Sequence, residues 1–171
     1  MVPTQLKKAV EQKLSQALNI PVSITNENSI GGGCINSAHR IETNQGNYFL
    51  KWNDADACPG MFETEAKGLM LLQKANSIRT PSLIATGESD DKSFIILELI
   101  EPGKRVKNFW QDFGEKLGWL HQNSAASFGL DHDNYIGSLP QSNHQYSSWT
   151  DFFIHERSEE HTSELQSPYV I

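Results

Sequence analysis

The segment Ser29-Ile-Gly-Gly-Gly-Cys-Ile-Asn-Ser-Ala-His-Arg-Ile-Glu-Thr-Asn-Gln-Gly-Asn-Tyr-Phe-Leu-Lys51 carries the strongest structural signal in the chain. Its three consecutive glycines remove every Cβ from a turn, so backbone N–H groups can converge there on an anion such as phosphate. Extended segments are predicted at 35–42 and 47–53, joined by a turn at 44–46. The sequence therefore predicts a β-hairpin in which a glycine loop precedes a strand that carries Lys51.

A helix predicted over 61–75 follows that strand and carries Glu65. A glycine loop, a strand lysine and a helix glutamate, in this order, form the phosphate-binding arrangement of protein kinases. The glycine cluster by itself is weak evidence, because it fits neither the Walker loop nor the dinucleotide fingerprint, where Asn36 replaces the third glycine. Glu65 alone would be an ordinary solvated helix residue. Beside a half-buried Lys51, however, we expect it to pair with the ammonium group.

Composition restricts the class of protein. The 171 residues suffice for one domain rather than two, and the net charge of −7 with 14 scattered Lys and Arg argues against a nucleic-acid partner. No apolar run approaches the ~18 residues of a membrane span, and residues 1–12 are too polar for a signal peptide. We therefore expect no membrane association and a cytoplasmic location.

Cysteine and histidine give no metal or disulfide pattern. Cys34 and Cys58 form neither a disulfide framework nor a Cys-x-x-Cys motif. Four dispersed histidines are interpreted as surface or satisfied structural residues, since they lack ligand spacing: His39, His132, His144 and His155. A structural zinc site is not expected.

The remaining elements follow from hydrophobic periodicity and turn residues. Helices are predicted at 5–18 and 109–122, strands at 22–28, 83–87 and 94–100, a turn at 88–93, a loop at 128–140 and an amphipathic segment at 146–156. The helix at 109–122 can bury one apolar stripe: Phe109, Phe113, Leu117 and Leu120. Glu98 interrupts the apolar strand at 94–100, which either borders an adenine pocket or is a core strand with an edge acid.

Several motifs together resemble the fructosamine kinase family, also called protein ketosamine 3-kinases. The motifs are Gly-Gly-Gly-Cys-Ile-Asn at 31–36, Phe-Leu-Lys-Trp-Asn at 49–53, Met-Phe-Glu-Thr-Glu-Ala at 61–66, Leu-Gly-Trp-Leu-His at 117–121, Phe-Gly-Leu-Asp-His-Asp-Asn-Tyr-Ile-Gly at 128–137 and Trp-Thr-Asp-Phe-Phe at 149–153. The resemblance implies an α+β, protein-kinase-like fold, with an N-lobe of antiparallel sheet plus helix and the first part of a helical C-lobe. It also implies transfer of the ATP γ-phosphate, with Mg²⁺, to the 3-hydroxyl of ketoamines on glycated proteins or small amines, a repair of glycation.

The same resemblance implies roles for individual residues. Gly31, Gly32, Gly33 and Cys34 would cover the phosphates, Lys51 would contact the α- and β-phosphates, and Glu65 would hold Lys51. The backbone of Glu98 and Ile100 would bind adenine, and Asp131, Asn134 and Tyr135 would face the sugar. A thiolate at Cys34 among converging N–H groups would make ATP binding redox-sensitive.

The chain departs from the family pattern in its last part. The catalytic motif His-Gly-Asp-Leu-Trp-x-Gly-Asn and the later Asp-Pro-Ala metal motif are absent, so no catalytic base or magnesium ligand can be identified and no turnover is expected. Residues 157–167 resemble the in-frame translation of a common sequencing adapter. We expect an N-lobe at 1–100, a truncated C-lobe at 101–156 and a non-biological tail at 157–171.

Two other functional interpretations remain open on the sequence. One is an aminoglycoside or choline kinase-like phosphotransferase, against which the segment at 128–137 argues. The other is a nucleotide-binding module without catalysis. Because the remainder of a C-lobe would cover the helix at 109–122 and the aromatic residues at 149–153, we also expect poor solubility on expression.

Overall fold

The structure is a computed structural model that describes residues 1–31 and 35–158. The chain divides into two compact units, Met1–Gln122 and Asn123–Ile171. Unit 1 contains α1 (Thr4–Leu18), β1 (Ile24–Ser29), β2 (Ser37–Thr43), β3 (Gly46–Asp54), α2 (Met61–Ala75), β4 (Leu83–Ser89), β5 (Lys92–Glu98) and α3 (Phe109–His121). Unit 2 contains β6 (Asn134–Ile136), β7 (Leu139–Gln141) and α4 (Trp149–Glu156).

The five strands of unit 1 form one antiparallel sheet in the order β1-β2-β3-β5-β4. Successive side chains of a strand point to opposite faces, so each central strand contributes to two layers. One face packs with α1 into a buried cluster that includes Leu6, Val10, Leu50 and Phe94. The other face packs with α2 around Phe62. The sheet therefore separates an α1 face from an α2 face.

Local sequence explains where the two packed helices end. Asn19 after α1 and Asn76 after α2 adopt the left-handed conformation, which asparagine tolerates better than most residues, and Pro21 cannot continue α1. In unit 2, Ser148 caps α4 by accepting a hydrogen bond from the Asp151 N–H at 3.1 Å.

Three expectations about local structure need correction. The first strand runs from Ile24 to Ser29 rather than over 22–28. Strand β5 covers Lys92–Glu98 rather than 94–100, so the β4–β5 turn is limited to Asp90 and Asp91, and Ile100 lies outside the strand. The segment 128–140 is not only a loop, because β6 and β7 pair as a short hairpin. The weak alternation of Asn134-Tyr135-Ile136 hides this strand, which is only three residues long.

Helix α3 leaves its predicted apolar stripe uncovered, which agrees with the exposure expected from the sequence. No residue of the helix is buried, and Phe113 is 40% exposed. Phe109 and Phe113 stack on each other, with ring centroids 6.2 Å apart.

The helices in the part of the chain that the structure describes include none whose length and hydropathy would allow it to span a bilayer.

Candidate functional site

The α2 face of the sheet carries the candidate site, because β3 and β5 place alternate residues on it. Phe49, Lys51 and Asn53 of β3 share this face, and their cross-strand partners are Leu97, Ile95 and Ser93 of β5. Phe49, Ile95 and Leu97 belong to the apolar cluster around Phe62 of α2. Along β3, therefore, the same face changes from an apolar residue to a cation and then to an amide.

Lys51 and Glu65 form a two-pronged ion pair. The Lys51 Nζ donates to Glu65 Oε1 at 2.8 Å and to Oε2 at 2.6 Å. The two side chains are 23% and 29% exposed, and the ammonium also lies 5.7 Å from the centroid of the Phe62 ring. Phe62 and Glu65 are three residues apart on α2, so one helix face supplies both contacts. The pair fixes the direction of a partly desolvated cation while leaving it open to a further anion.

A cavity of about 510 Å³ lies within unit 1, next to Phe49. Its walls are mostly apolar, with four polar residues among them. The lining residues are Asn28, Ile30, Arg40, Phe49, Pro81, Leu97, Glu98, Leu99, Ile100, Glu101 and Pro102. This size falls in the range of roughly 300–1,000 Å³ that is typical of small-molecule sites. Phe49 precedes Lys51 by two residues on the same face of β3, so the Cα atoms of these two residues lie about 7 Å apart along the strand.

Glu98 and Ile100 both line this cavity. The Glu98 carboxylate accepts a hydrogen bond from the Ser82 N–H at 3.1 Å and pairs with Arg79. These donors, the Ser82 N–H first, hold the pKa of Glu98 below its ordinary value. The Glu98 N–H donates to the Ser82 carbonyl at 2.8 Å. The side chain of Glu98 is thus committed to the segment before β4.

An ion pair that sequence reasoning missed borders the same cavity. Arg40 of β2 and Glu101, both lining residues, are joined by a hydrogen bond of 2.6 Å between Nη1 and Oε1. Arg40 also lies 3.5 Å from Glu42. Arg40 and Glu101 are 61 residues apart in sequence, and no local sequence pattern connects them. Only the antiparallel order of β2, β3 and β5 brings them together.

The glycine loop is described only at its margins. Gly31 has open space where a Cβ would stand, and the Ile30 N–H donates to the Ala38 carbonyl at 2.8 Å, which closes the hairpin before the loop. Gly32, Gly33 and Cys34 lie outside the described residues, as do 159–171 of the expected tail. The phosphate contacts of the loop and the redox sensitivity of Cys34 therefore stay predictions.

His39 is not a surface residue or a satisfied structural one. It is only 4% exposed, and its Nδ1 has no hydrogen-bond partner among the described residues. Burial, followed by the positive charge of the N-terminus, lowers the pKa of this imidazole, and Glu27 opposes the effect. The neutral ring stacks on Trp52 at a centroid distance of 6.3 Å. His39 thus belongs to the core on the α1 face.

The three residues expected on the sugar side have different surroundings in unit 2. Asp131 lines a polar cavity of about 460 Å³, together with Leu130, His132, Asp133, Asn143, His144 and Gln145. Asn134 does not line that cavity, and its Oδ1 accepts a hydrogen bond from Asn143 Nδ2 at 2.9 Å. Tyr135 pairs with Pro140 across the hairpin. Their roles toward a substrate stay predictions.

Arg157, the first residue of the expected tail, is part of unit 2. Its Nη1 donates to the Ser142 carbonyl at 2.8 Å, its Nη2 to Asn143 Oδ1, and its guanidinium lies 4.7 Å from the Phe152 ring centroid. Asn143 is only 2% exposed and also donates to the His132 carbonyl at 3.2 Å. These contacts tie the end of α4 to the segment after β7.

The antiparallel sheet, its packed helices and the Lys51–Glu65 pair together define a kinase-like α+β fold, and comparison with known proteins identifies the family. The fructosamine kinase family model matches residues 6–166, and the chain belongs to this family. The crystal structure of a "putative fructosamine-3-kinase" from Haemophilus somnus 129PT superposes with a TM-score of 0.80 at 31% identity, over 86% of this chain and 50% of that one. The α+β, kinase-like fold is thereby confirmed.

Two curated relatives are similar in sequence. A "probable ketoamine kinase" of Synechocystis sp. is 36% identical over 151 residues, which is 88% of this chain and 51% of the relative. The chloroplastic protein-ribulosamine 3-kinase of Arabidopsis thaliana is 39% identical over 137 residues, 78% of this chain and 41% of the relative. The chain therefore spans about half the length of the curated relatives that it matches.

Proposed function

We propose that this chain binds ATP on the α2 face of its sheet, as the nucleotide-binding part of a ketoamine kinase. The observation that carries the proposal is the Lys51–Glu65 ion pair, which lies on the same face as the apolar cavity. Lys51 contacts the α- and β-phosphates, Glu65 holds Lys51, and Gly31 to Cys34 cover the phosphates. A cation with one fixed acidic partner and one open side suits this task.

The residues on this face fit the nucleotide in chemical character. Apolar walls around Phe49 and Leu97 suit a flat base, and the backbone of Glu98 and Ile100 supplies hydrogen-bonding groups at its edge. In a ketoamine kinase, bound ATP would supply the phosphoryl group. In the described ranges 1–31 and 35–158, no group of three or more His, Cys, Asp or Glu can hold a metal ion.

The proposed substrate is a ketoamine, phosphorylated on its 3-hydroxyl, on a glycated protein or a small amine. The names of the relatives support this class, since they include ketoamine kinases and protein-ribulosamine 3-kinases. Asp131, Asn134 and Tyr135 are the proposed residues on the sugar side. Because the family's catalytic and metal motifs are absent from the sequence, we propose that this chain binds nucleotide without transferring phosphate.

Nucleotide binding is tested by calorimetric titration of ATP into the wild-type chain and into Lys51→Ala. Loss of a charge-assisted contact is worth about 1.5–3 kcal/mol, so we expect Kd for ATP to rise roughly ten- to hundredfold. Lys67→Ala is the matched control, because Lys67 is an exposed lysine of α2, and it should bind like wild type. Equal affinities of the Lys51 and Lys67 variants would refute the site.

Transfer is tested separately, by incubating the chain with ATP, Mg²⁺ and fructosyl-lysine and following the 3-phosphate by mass spectrometry. We expect binding of ATP and no phosphorylated product. Product formed above the level of the Lys51→Ala variant would show that the chain is catalytically competent and would overturn the second half of the proposal.

A further inference from the structure

A buried polar cluster lies beside the Lys51–Glu65 pair and has no part in the function proposed above. It consists of Asn36, Asn53, Met61 and Ser93 and is called here the amide cluster. Asn53 and Ser93 are cross-strand partners in β3 and β5 and are 6% and 1% exposed. Buried polar side chains in an otherwise apolar layer are costly unless they are hydrogen-bonded, so the bonds of this cluster matter.

The bonds of the amide cluster use both ends of the Asn53 side chain. The Ser93 hydroxyl donates to Asn53 Oδ1 at 2.5 Å, and Asn53 Nδ2 donates to Asn36 Oδ1 at 3.0 Å. Asn53 Nδ2 also lies 3.3 Å from the Met61 sulfur, and Asn36 Nδ2 lies 3.7 Å from it. An amide is required at position 53, because a single group there must accept from one neighbour and donate to two others.

The position of the cluster relates it to the ion pair. Asn53 follows Lys51 by two residues on the same face of β3. Met61 precedes Glu65 by four residues, so both lie on one face of α2, and Met61 is the first residue of the helix. The amide cluster thus connects the strand that carries Lys51 to the helix that carries Glu65, next to the ion pair that these two residues form.

We propose that Asn36 and Asn53 are positioning residues for Lys51. Their Nδ2 groups both contact the Met61 sulfur and so hold the first turn of α2 against β3. Glu65 then meets the ammonium from one side and leaves its other side directed at phosphate. This inference rests on the proposed function, since it concerns the same lysine. It assigns the asparagines a role in phosphate affinity, which a merely structural contact would not have.

The test compares ATP with adenosine, because only ATP reports on Lys51. Kd for both ligands is measured by calorimetry for the wild-type chain, Asn36→Ala, Lys51→Ala and the double variant. We expect Asn36→Ala to raise the Kd for ATP about five- to tenfold, which corresponds to about 1–1.4 kcal/mol. The Kd for adenosine should stay unchanged. In the Lys51→Ala background, Asn36→Ala should have no further effect on ATP.

Asn47→Ala is the matched control, since Asn47 is an exposed asparagine in the same strand, and it should bind both ligands like wild type. Asn36 is only half-buried and lies outside the strands, just before β2, so its variant should fold. Asn53→Ala should reproduce its effect if that variant also folds. An unchanged ratio of the two Kd values in Asn36→Ala, or an equal loss in the Lys51→Ala background, would overturn the inference. A wild-type chain that does not prefer ATP to adenosine would instead refute the proposed function.

Discussion

Replacement of Gly87 by alanine is expected to destabilise unit 1, because strand β4 approaches a phenylalanine too closely at this point. An alanine Cβ would lie 2.7 Å from Phe94 Cζ and 3.1 Å from Phe94 Cε1. Gly87 and Phe94 are register partners, and Phe94 is fully buried in the cluster against α1. The third neighbour, Lys13 Cε at 3.1 Å, is the flexible end of a side chain and can move at little cost.

The loss of stability follows from the tight packing around Phe94, which makes any shift of its ring costly. A buried ring that must shift in a packed core costs typically 1–3 kcal/mol. We take about 2 kcal/mol, which for a chain of this size lowers Tm by about 4–8 °C. Gly68→Ala is the matched control, because Gly68 lies inside α2 with open space where its Cβ would be. That variant should gain up to about 1 kcal/mol through helix propensity.

The assay is urea unfolding of wild type and both variants, followed by tryptophan fluorescence. Trp52 is half-buried and packs against the same cluster as Phe94. The part of the signal that comes from this residue therefore reports on unit 1. A Gly87→Ala variant as stable as wild type would refute the close approach of β4 to Phe94. Equal destabilisation by both variants would show that the two glycines do not differ as described.

Two further predictions concern His39 and Gly129. Burial lowers the pKa of His39, so the contribution of His39 to stability should be complete above pH ~6.5. It should decline as the pH falls below that value, because the unfolded chain then takes up the proton. The drop in Tm between pH 7.5 and 5.5 should shrink in His39→Gln and persist in His144→Gln, and equal drops in the two variants would contradict the assignment. Gly129→Ala should destabilise unit 2 by at least about 2 kcal/mol, since φ of Gly129 is +114° and a Cβ would lie 2.5 Å from the His144 carbonyl oxygen. Faster hydrogen exchange of residues 123–158 in this variant would measure the loss of stability. Equally fast exchange in the Gly103→Ala control would contradict the prediction.

The elements that sequence predicts best are those with a strong local pattern. Helix α2 begins and ends at the predicted residues, Met61 and Ala75, because a wide apolar face and flanking turn residues mark it. Strand β3 is also found within one residue of its expected ends. The β6–β7 hairpin was missed, since three residues are too few for period-two alternation to stand out.

The candidate site is divided in the same way. The proximity of Lys51 and Glu65 could be predicted, because they are 14 residues apart and belong to two successive elements with a known arrangement. The Asn53–Ser93 and Arg40–Glu101 contacts span 40 and 61 residues. They depend on the register of β3 with β5 and on the order of strands in the sheet, which no single segment encodes.

The alternation of β3 implies that substitutions along this one strand should have effects that repeat every second residue. Tyr48, Leu50 and Trp52 pack into the α1 cluster, so their replacement should change the melting temperature while folded molecules retain their ligand affinity. Replacement of Lys51 should lower ligand affinity more than stability, whereas replacement of Phe49 or Asn53, which are packed on the α2 face, should lower both. A saturation scan of residues 48–53 that recorded both quantities would thus trace the two faces of the sheet without any structure determination.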